Sequence, residues 1–436
     1  AGESVVAESL GRRAGSITSS VFSAVTRKLS RITSGAAQTH ISTADKDGAT
    51  ALHWAALGGS KACVDLLLVR GAAPSAGDKI NATALHWAVL GNSLDVIQVL
   101  LDVGAKVDVA DKDGATPLHW AILSERRVCA DMLLARGAKV ISQDEIGATP
   151  LHWAADNGFT NCVAMLLNNI SVTAEQMTTR GVDAPHFGKK PPKGATAKQE
   201  RRLMVNTADK DGVTALHLAA SSGHKDCVAL LLRRGGNPEL TTREGWTPLV
   251  CAVSRGRVDV AAHLLDHGAA VDHRTRDGRT CLHRACERGH LEMVQLLLYY
   301  SPKADIVCKL AQTALMWACW QGNKEVVAAM LDGGADVTLP DEDNRTALHW
   351  AAMKGHDDCC ALLLQSGADV YAEDKEKLTP LDHAIQNSHS EVEQLFVAAA
   401  GMRAKQSVSA TSSAFVTPMQ TKGGGKGGGG GGGGGG

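Results

Sequence analysis

Seven histidines recur at one position of a short motif, and their type and spacing are the clearest hint of chemistry in this chain. Each lies three residues after a threonine: His53, His86, His119, His152, His217, His283 and His349. Imidazole is the commonest metal ligand in proteins, so rings in register could form a ladder of metal sites. The other possibility is that each ring holds the backbone around it. The choice depends on the elements that carry the histidines.

No catalytic motif accompanies the histidines. The sequence contains no P-loop, HExxH, GxSxG, kinase or EF-hand string, and these are the spacings that phosphate binding, zinc hydrolysis and nucleophilic catalysis use. GxGxxG matches occur in the C-terminal glycine run, where no strand precedes them. We therefore predict a protein that is not an enzyme and that holds no cofactor or metal.

The elements behind the histidines are a repeated unit. Ten copies of a TxLHxA-type string begin at Thr50, Thr83, Thr116, Thr149, Thr214, Thr247, Thr280, Thr313, Thr346 and Thr379. The spacing is 33 residues throughout except between Thr149 and Thr214, where it is 65. We number the repeats 1 to 10 by these threonines. A fixed period of this size predicts a stacked array whose usual product is a binding surface.

The third repeat shows how one unit folds. Asp111 favours a turn, and Thr116 followed by Pro117 is typical of a helix start. Leu118, Ala121 and Ile122 then recur at helical spacing, a second apolar stripe follows, and Gly137 ends the second helix. Neither helix can bury its stripe alone, so neighbouring units must stack.

The unit resembles the ankyrin repeat, whose signature is T-P-L-H-x-A at 33-residue spacing. The resemblance implies an all-α solenoid of helix-turn-helix units with projecting β-turn or hairpin tips. It also implies that the histidines hydrogen-bond the turn backbone and tie neighbouring repeats together, which we favour over a metal ladder. A tryptophan follows that position in six repeats, where the family usually has a framework leucine: Trp54, Trp87, Trp120, Trp153, Trp317 and Trp350.

The cysteines follow the repeat as well. Five of the eleven lie 13 residues after their repeat threonine, where the family carries a buried Val or Ile: Cys63, Cys129, Cys162, Cys227 and Cys359. Equivalent positions in stacked helices lie about 8–10 Å apart, whereas a disulfide needs Cα atoms about 4.4–6.8 Å apart. No CxxC pair for zinc is present. We predict structural, reduced thiols and a reducing compartment.

Several segments depart from the period. We divide the chain into a basic, Ser-rich segment with an amphipathic helix (1–40), repeats 1–4 (41–171), a basic insertion loop that could hinge the array (172–206), repeats 5–10 (207–400) and a disordered Ser/Gly-rich tail (401–436). In the N-terminal segment Phe22, Val25, Leu29 and Ile32 share one helical face. That helix could cap the array, touch an anionic membrane, or be the remnant of a transit sequence. Repeat 8 is the weakest, with Cys308, Ala311 and Met316 in place of the usual Asp, Gly and His.

In ankyrin-like arrays the partner usually meets the turn tips and the outer side of the first helix. At these positions repeats 1–3 carry Leu57, Leu90 and Leu123, whereas repeats 6–8 carry Trp246, Trp320, Arg243, Arg255, Arg276, Arg279, Arg288 and Lys309. Trp and Arg are enriched in interface hot spots. Glu244, Asp277 and Glu287 share the second patch, so it is mixed in charge and nucleic acid is an unlikely ligand.

These patterns predict a protein-interaction scaffold or adaptor that binds an acidic, partly apolar protein segment on a concave ankyrin surface. One alternative is the regulatory or targeting module of a larger palmitoyltransferase, kinase, ubiquitin ligase or channel. Another is nucleic-acid binding through the basic residues 189–202. The net charge of −1 argues against polyanion binding by the molecule as a whole, and no apolar run of membrane-spanning length is present. We expect a monomer in the cytoplasm, which is a reducing compartment. The nucleus or an organelle stays open, because the sequence begins with Ala1 and a targeting segment could precede it.

Overall fold

The computed structural model describes residues 42–180, 196–300 and 302–399. Within these ranges the chain is helical, and its β-structure consists of two isolated bridges, Gly77–Thr83 and Ala208–Thr214. The predicted all-α repeat architecture is therefore confirmed. The N-terminal amphipathic helix and the C-terminal tail lie outside the described residues.

Each repeat contributes a first helix that begins directly after the repeat threonine. These are α1 (Ala51–Leu57), α3 (Ala84–Leu90), α5 (Pro117–Leu123), α7 (Pro150–Asp156), α10 (Ala215–Ser222), α12 (Pro248–Ser254), α14 (Cys281–Arg288), α16 (Ala314–Gln321), α18 (Ala347–Lys354) and α20 (Pro380–Gln386). The threonine has extended backbone angles, as at Thr116 with φ −90° and ψ 168°, which is the conformation of an N-cap residue.

A second helix follows each first helix after a short turn. The second helices are α2 (Lys61–Val69), α4 (Leu94–Asp102), α6 (Arg127–Ala135), α8 (Thr160–Arg180), α11 (Lys225–Arg233), α13 (Val258–Asp266), α15 (Leu291–Tyr299), α17 (Lys324–Asp332) and α19 (Asp357–Gln365), with a final helix α21 over residues 390–399. An additional helix, α9 (Ala197–Val205), belongs to the insertion. Left-handed glycines such as Gly137, with φ 88°, follow several second helices.

The turn tips join the repeats into one continuous stack. In every successive pair, the main-chain N–H four residues before the second repeat's threonine donates to the carbonyl three residues before the first repeat's threonine. The bond runs from Lys79 to Asp47 at 3.0 Å in the first pair and from Lys375 to Asp343 at 2.9 Å in the last. The link between repeats 4 and 5, from Lys210 to Ile146, is 2.9 Å long. The insertion therefore leaves the turn-to-turn bonding unbroken, which argues against the hinge that we considered there.

The prediction of a loop over residues 172–206 is wrong at both ends. Helix α8 runs on to Arg180, more than twice the length of the other second helices, and α9 begins with a capping box in which Thr196 and Gln199 bond each other. Met204 and Val205 of α9 are buried. The residues after Asp156 contain no proline until Pro185, so nothing stops α8 where the ordinary repeats end their second helix. Residues 181–195 lie outside the described part of the chain.

The hydrophobic core runs the length of the stack, but in repeat 1 one position that is buried elsewhere is exposed to solvent. Thirteen residues after the threonine, Val96, Cys129, Cys162 and their later equivalents are at most 1% exposed, whereas Cys63 is exposed. The expectation of a buried residue at this position is therefore wrong for Cys63. All eleven cysteines are free thiols, in agreement with the geometric argument against disulfides.

Candidate binding surface

The histidines act as ties between repeats. His119 Nδ1 accepts the main-chain N–H of Thr116 at 3.1 Å, and its Nε2 lies 3.3 Å from the carbonyl oxygen of Ala148, one repeat on. All seven histidines repeat this pattern, and across the insertion His152 reaches Val213 at 3.1 Å. Burial lowers the pKa of His119 to about 3, so the ring is neutral at physiological pH. The structural interpretation holds, and no cluster suited to a metal is found among the described residues.

The framework tryptophans are hydrogen-bonded to turn aspartates. In five repeats the indole Nε1–H donates to the carboxylate five residues before the threonine, at 3.0–3.1 Å. The donors are Trp54, Trp87, Trp120, Trp153 and Trp350. These side chains therefore hold the turn in place, and their fixed positions are explained without a ligand.

We call the surface formed by the turn tips and the outward sides of the first helices the tip face. Next to it, the residue just before the threonine contacts the framework position of the following repeat in two pairs of repeats, 6–7 and 7–8. In repeats 1–4 the residue before the threonine is alanine: Ala49, Ala82, Ala115 and Ala148. In repeats 6, 7 and 9 it is Trp246, Arg279 and Arg345. Alanine is sufficient for the stack in repeats 1–4, so the size of these side chains is not dictated by the repeat pattern.

Two of these large side chains form aromatic–cation pairs with the next repeat. The Arg279 guanidinium carbon lies 4.1 Å from the ring centroid of Trp317. The other pair joins repeats 6 and 7. Arg284 occupies the framework position of repeat 7 and lies 5.1 Å from the ring centroid of Trp246 in repeat 6. Such stacking contributes about 0.5–2 kcal/mol, more when the pair is desolvated. The two pairs are adjacent along the stack. In one the tryptophan belongs to the earlier repeat, and in the other the arginine does.

Two carboxylates bridge the two arginines. Asp277 Oδ2 lies 3.3 Å from Arg279 Nε and 3.1 Å from Arg284 Nη2, and Glu287 Oε2 lies 3.2 Å from one nitrogen of each arginine. We call Asp277, Arg279, Arg284 and Glu287 the charge box. The arginine side chains are 19% and 14% exposed. The charge box is therefore neutral overall. Its arginines are largely withdrawn from solvent, next to Trp246 and Trp317, whereas the Asp277 side chain is 46% exposed.

Asp277 of the charge box remains ionised. Burial acts to raise the pKa of Asp277, but the hydrogen bond from Thr275 and the charge of Arg284 outweigh it and bring that pKa below its usual range. The arginines stay protonated at any physiological pH. The contacts of Asp277 with the two arginines are therefore independent of pH near neutrality.

A second aromatic cluster lies one repeat further on. Trp320 packs edge-on against Trp350 with ring centroids 5.0 Å apart. Lys354 Nζ lies 3.6 Å from the centroid of the Trp320 ring, and the Trp320 carbonyl accepts a hydrogen bond from His356 Nε2 at 3.2 Å. Trp320 is half-buried, so part of its ring stays accessible beside a cation.

The structure separates the predicted surface residues into three groups. Arg243, Arg255, Arg276, Arg288 and Lys309 are exposed, and Arg243 pairs with Asp211 at 3.2 Å. Arg279 belongs to the charge box, and Trp246 packs against the core with its carbonyl bonded by His217. Leu57, Leu90 and Leu123 are half-buried rather than open.

Sequence reasoning missed Arg284 as the partner of Arg279. Its signal was available, because Arg284 stands four residues after Thr280, where six other repeats carry tryptophan. Trp350 and Lys354 were likewise not assigned to the surface, although they enclose Trp320. Neighbours contributed by successive repeats are difficult to find in a single unit of sequence.

The architecture and this face define a helical-repeat protein with an extended interaction surface. A family model described as ankyrin repeats in three copies matches residues 27–111, 69–144, 104–176, 198–275, 269–341 and 331–406. The chain therefore belongs to the ankyrin-repeat family, whose arrays bind protein partners. None of the described helices is long and apolar enough to cross a membrane.

Two curated relatives match a short stretch. Cortactin-binding protein 2 from Rattus norvegicus is 39% identical over 66 residues, and the protein of the same name from Equus caballus is 35% identical over 66 residues. Each match covers 15% of this chain and 4% of the relative. The chain thus matches a very small part of the length of these proteins.

Proposed function

We propose that the chain is a non-enzymatic scaffold or adaptor that holds a partner protein on the concave tip face of repeats 6–9. The observation that carries the proposal is the run of large side chains where repeats 1–4 have alanine. Trp246, Arg279 and Arg345 are larger than the repeat pattern demands at this position, and two of them form the aromatic–cation pairs around the charge box. Buried polar networks of this kind are costly to build, which favours a role in recognition.

The chemistry of the face favours an acidic, partly apolar segment. Arg255, Arg276, Arg288 and Lys309 are exposed around the charge box, and the half-buried ring of Trp320 offers an apolar contact beside them. Trp and Arg are the residues on which binding energy concentrates in interfaces. Exposed cations of this kind act mainly on the association rate and on its salt dependence.

We place the protein in the cytoplasm as a monomer. Eleven free thiols fit a reducing compartment, and the net charge of −1 gives no reason for association with polyanions.

Site-specific photo-crosslinking tests the proposal. A photoreactive amino acid replaces Arg288 or Trp320 on the tip face, and in control chains it replaces Tyr299 or Val128, which are exposed on the second helices. We expect one partner to be captured from the native cell at the tip-face positions and not at the controls. Equal capture from both faces, or capture from the second helices alone, would overturn the proposed surface.

Charge reversal gives an independent test with the captured partner. Arg276→Glu with Lys309→Glu should weaken binding at least about tenfold, mainly through the association rate at low salt. The matched control is Lys61→Glu with Lys225→Glu, which reverses two exposed lysines at the first residues of α2 and α11. An unchanged affinity for the first pair would remove the acidic character assigned to the partner.

A further inference from the structure

A three-donor hydrogen-bond site recurs at the turns. Seven repeats carry an aspartate five residues before the threonine: Asp45, Asp78, Asp111, Asp144, Asp209, Asp341 and Asp374. In repeat 9 one carboxylate oxygen of Asp341 accepts the main-chain N–H groups of Asp343 and Arg345 at 2.9 and 2.8 Å. The other oxygen accepts the indole N–H of Trp350 at 3.1 Å. Three donors thus converge on a single carboxylate.

Repeat 8 keeps the donors but lacks the carboxylate. Cys308 takes the place of the aspartate, is 5% exposed, and has its Sγ 3.8 Å from Gln312 Oε1. The indole nitrogen of Trp317 is buried and has no acceptor in the described part of the chain. The main-chain N–H groups of Leu310 and Gln312, which correspond to those of Asp343 and Arg345, have no acceptor among the described residues either. A buried donor without an acceptor destabilises the fold, because it has lost its hydrogen bond to water.

An acceptor for these donors can be built on Cys308 itself. A cysteine sulfinate, CH2–SO2⁻, has the same skeleton as the aspartate side chain, CH2–CO2⁻. Converging N–H donors favour an anion at this point. Cys286 and Cys319 lie in the apolar core instead, where burial raises the pKa of both thiols and so disfavours the thiolate that peroxides oxidise.

We propose that Cys308 is an oxidation site that hydrogen peroxide converts to the sulfinic acid, and that the sulfinate completes the turn of repeat 8. The first peroxide transfers one oxygen to sulfur: an S–O bond forms, the O–O bond breaks, sulfur loses two electrons, and water leaves. A second peroxide repeats the step on the sulfenic acid and again releases water. The sulfinic acid then gives its proton to solvent. The sulfinate oxygens accept the N–H groups of Leu310, Gln312 and Trp317.

The test uses the full chain with Cys63→Ser, which removes the exposed thiol. After treatment with hydrogen peroxide, peptide mass spectrometry should find two added oxygens on Cys308 and none on Cys319. Amide hydrogen exchange over residues 308–317 should slow about tenfold, because charge-assisted hydrogen bonds replace unmade ones. Cys308→Asp should give the same slowing without peroxide. In the Trp317→Phe chain, peroxide should slow exchange less.

Four results would contradict the proposal. Cys308 could remain a thiol at peroxide levels that oxidise Cys319. Oxidised Cys308 could speed amide exchange in its own turn. Cys308→Asp, which tests the site without peroxide, could speed it as well. An equal gain in the Trp317→Phe chain would show that the indole is not part of the site.

Discussion

Acidification should destabilise this array through its buried histidines. Burial lowers the pKa of His86, His152, His217 and His283 to about 4 and that of His119 to about 3, whereas the unfolded value is about 6.5. The unfolded chain therefore binds protons that the folded chain does not, and stability rises with pH in this window. It is fully present above pH 6.5 and is lost as the pH falls toward 4.

The size of the effect follows from the shifts. Each histidine contributes about 1.4 kcal/mol per pH unit, so at pH 5 one buried ring costs about 2 kcal/mol relative to pH 7.5. Urea unfolding across pH 7.5 to 5 measures the slope of the unfolding free energy. His119→Gln should lower that slope by the contribution of one histidine. This change in slope is separate from any loss of unfolding free energy that is the same at every pH. Histidine NMR titrations should show His119 neutral down to pH 5. A flat stability profile, or an unchanged slope in His119→Gln, would refute the reasoning.

Three further predictions concern the surface residues. Asp277→Asn should lower the unfolding free energy by about 1–3 kcal/mol because two largely buried arginines lose a carboxylate. The control Asp211→Asn, whose partner Arg243 is exposed, should change it by less than about 1 kcal/mol. Equal losses in urea unfolding would contradict the charge box. Trp246→Ala should lower the unfolding free energy by about 2 kcal/mol and Trp320→Ala by about 1 kcal/mol, since of the two only Trp246 packs against the core. Thermal unfolding of the two variants measures the difference. The reverse order would mean that Trp320 is the core residue. Maleimide labelling under native conditions should modify Cys63 first, as a fast kinetic phase, and Cys63→Ser should remove that phase. A fast phase that survives the substitution would mean that another thiol is exposed to solvent.

The repeat period predicted most of the scaffold. His119 and its equivalents were assigned to the turn backbone because the resemblance to the ankyrin repeat implies that role for this position. The reduced state of Cys129 and Cys162 followed from helix spacing in the same way. These inferences succeed because each concerns one unit and a copy of itself.

The period failed where a contact joins different positions of successive repeats. Arg279 was predicted to be a surface cation, but Asp277 and Glu287 neutralise it within the fold, and both carboxylates also pair with Arg284. Cys63 was expected to be buried like its equivalents, but the first repeat has no described neighbour to cover it. The helical continuation of α8 to Arg180 was hidden by the loss of the repeat signature, although the residues themselves allow a helix.

The insertion between repeats 4 and 5 has a practical consequence for engineering. It leaves the stack through the second helix, while the first helices and tips pass from repeat 4 to repeat 5 with their usual bonds, His152 to Val213 and Lys210 to Ile146. At this point the side formed by the second helices is therefore longer, while the side formed by the first helices and tips keeps its usual spacing. A reporter domain inserted between Arg180 and Thr196 should therefore leave unchanged the spacing at which the tips meet a partner.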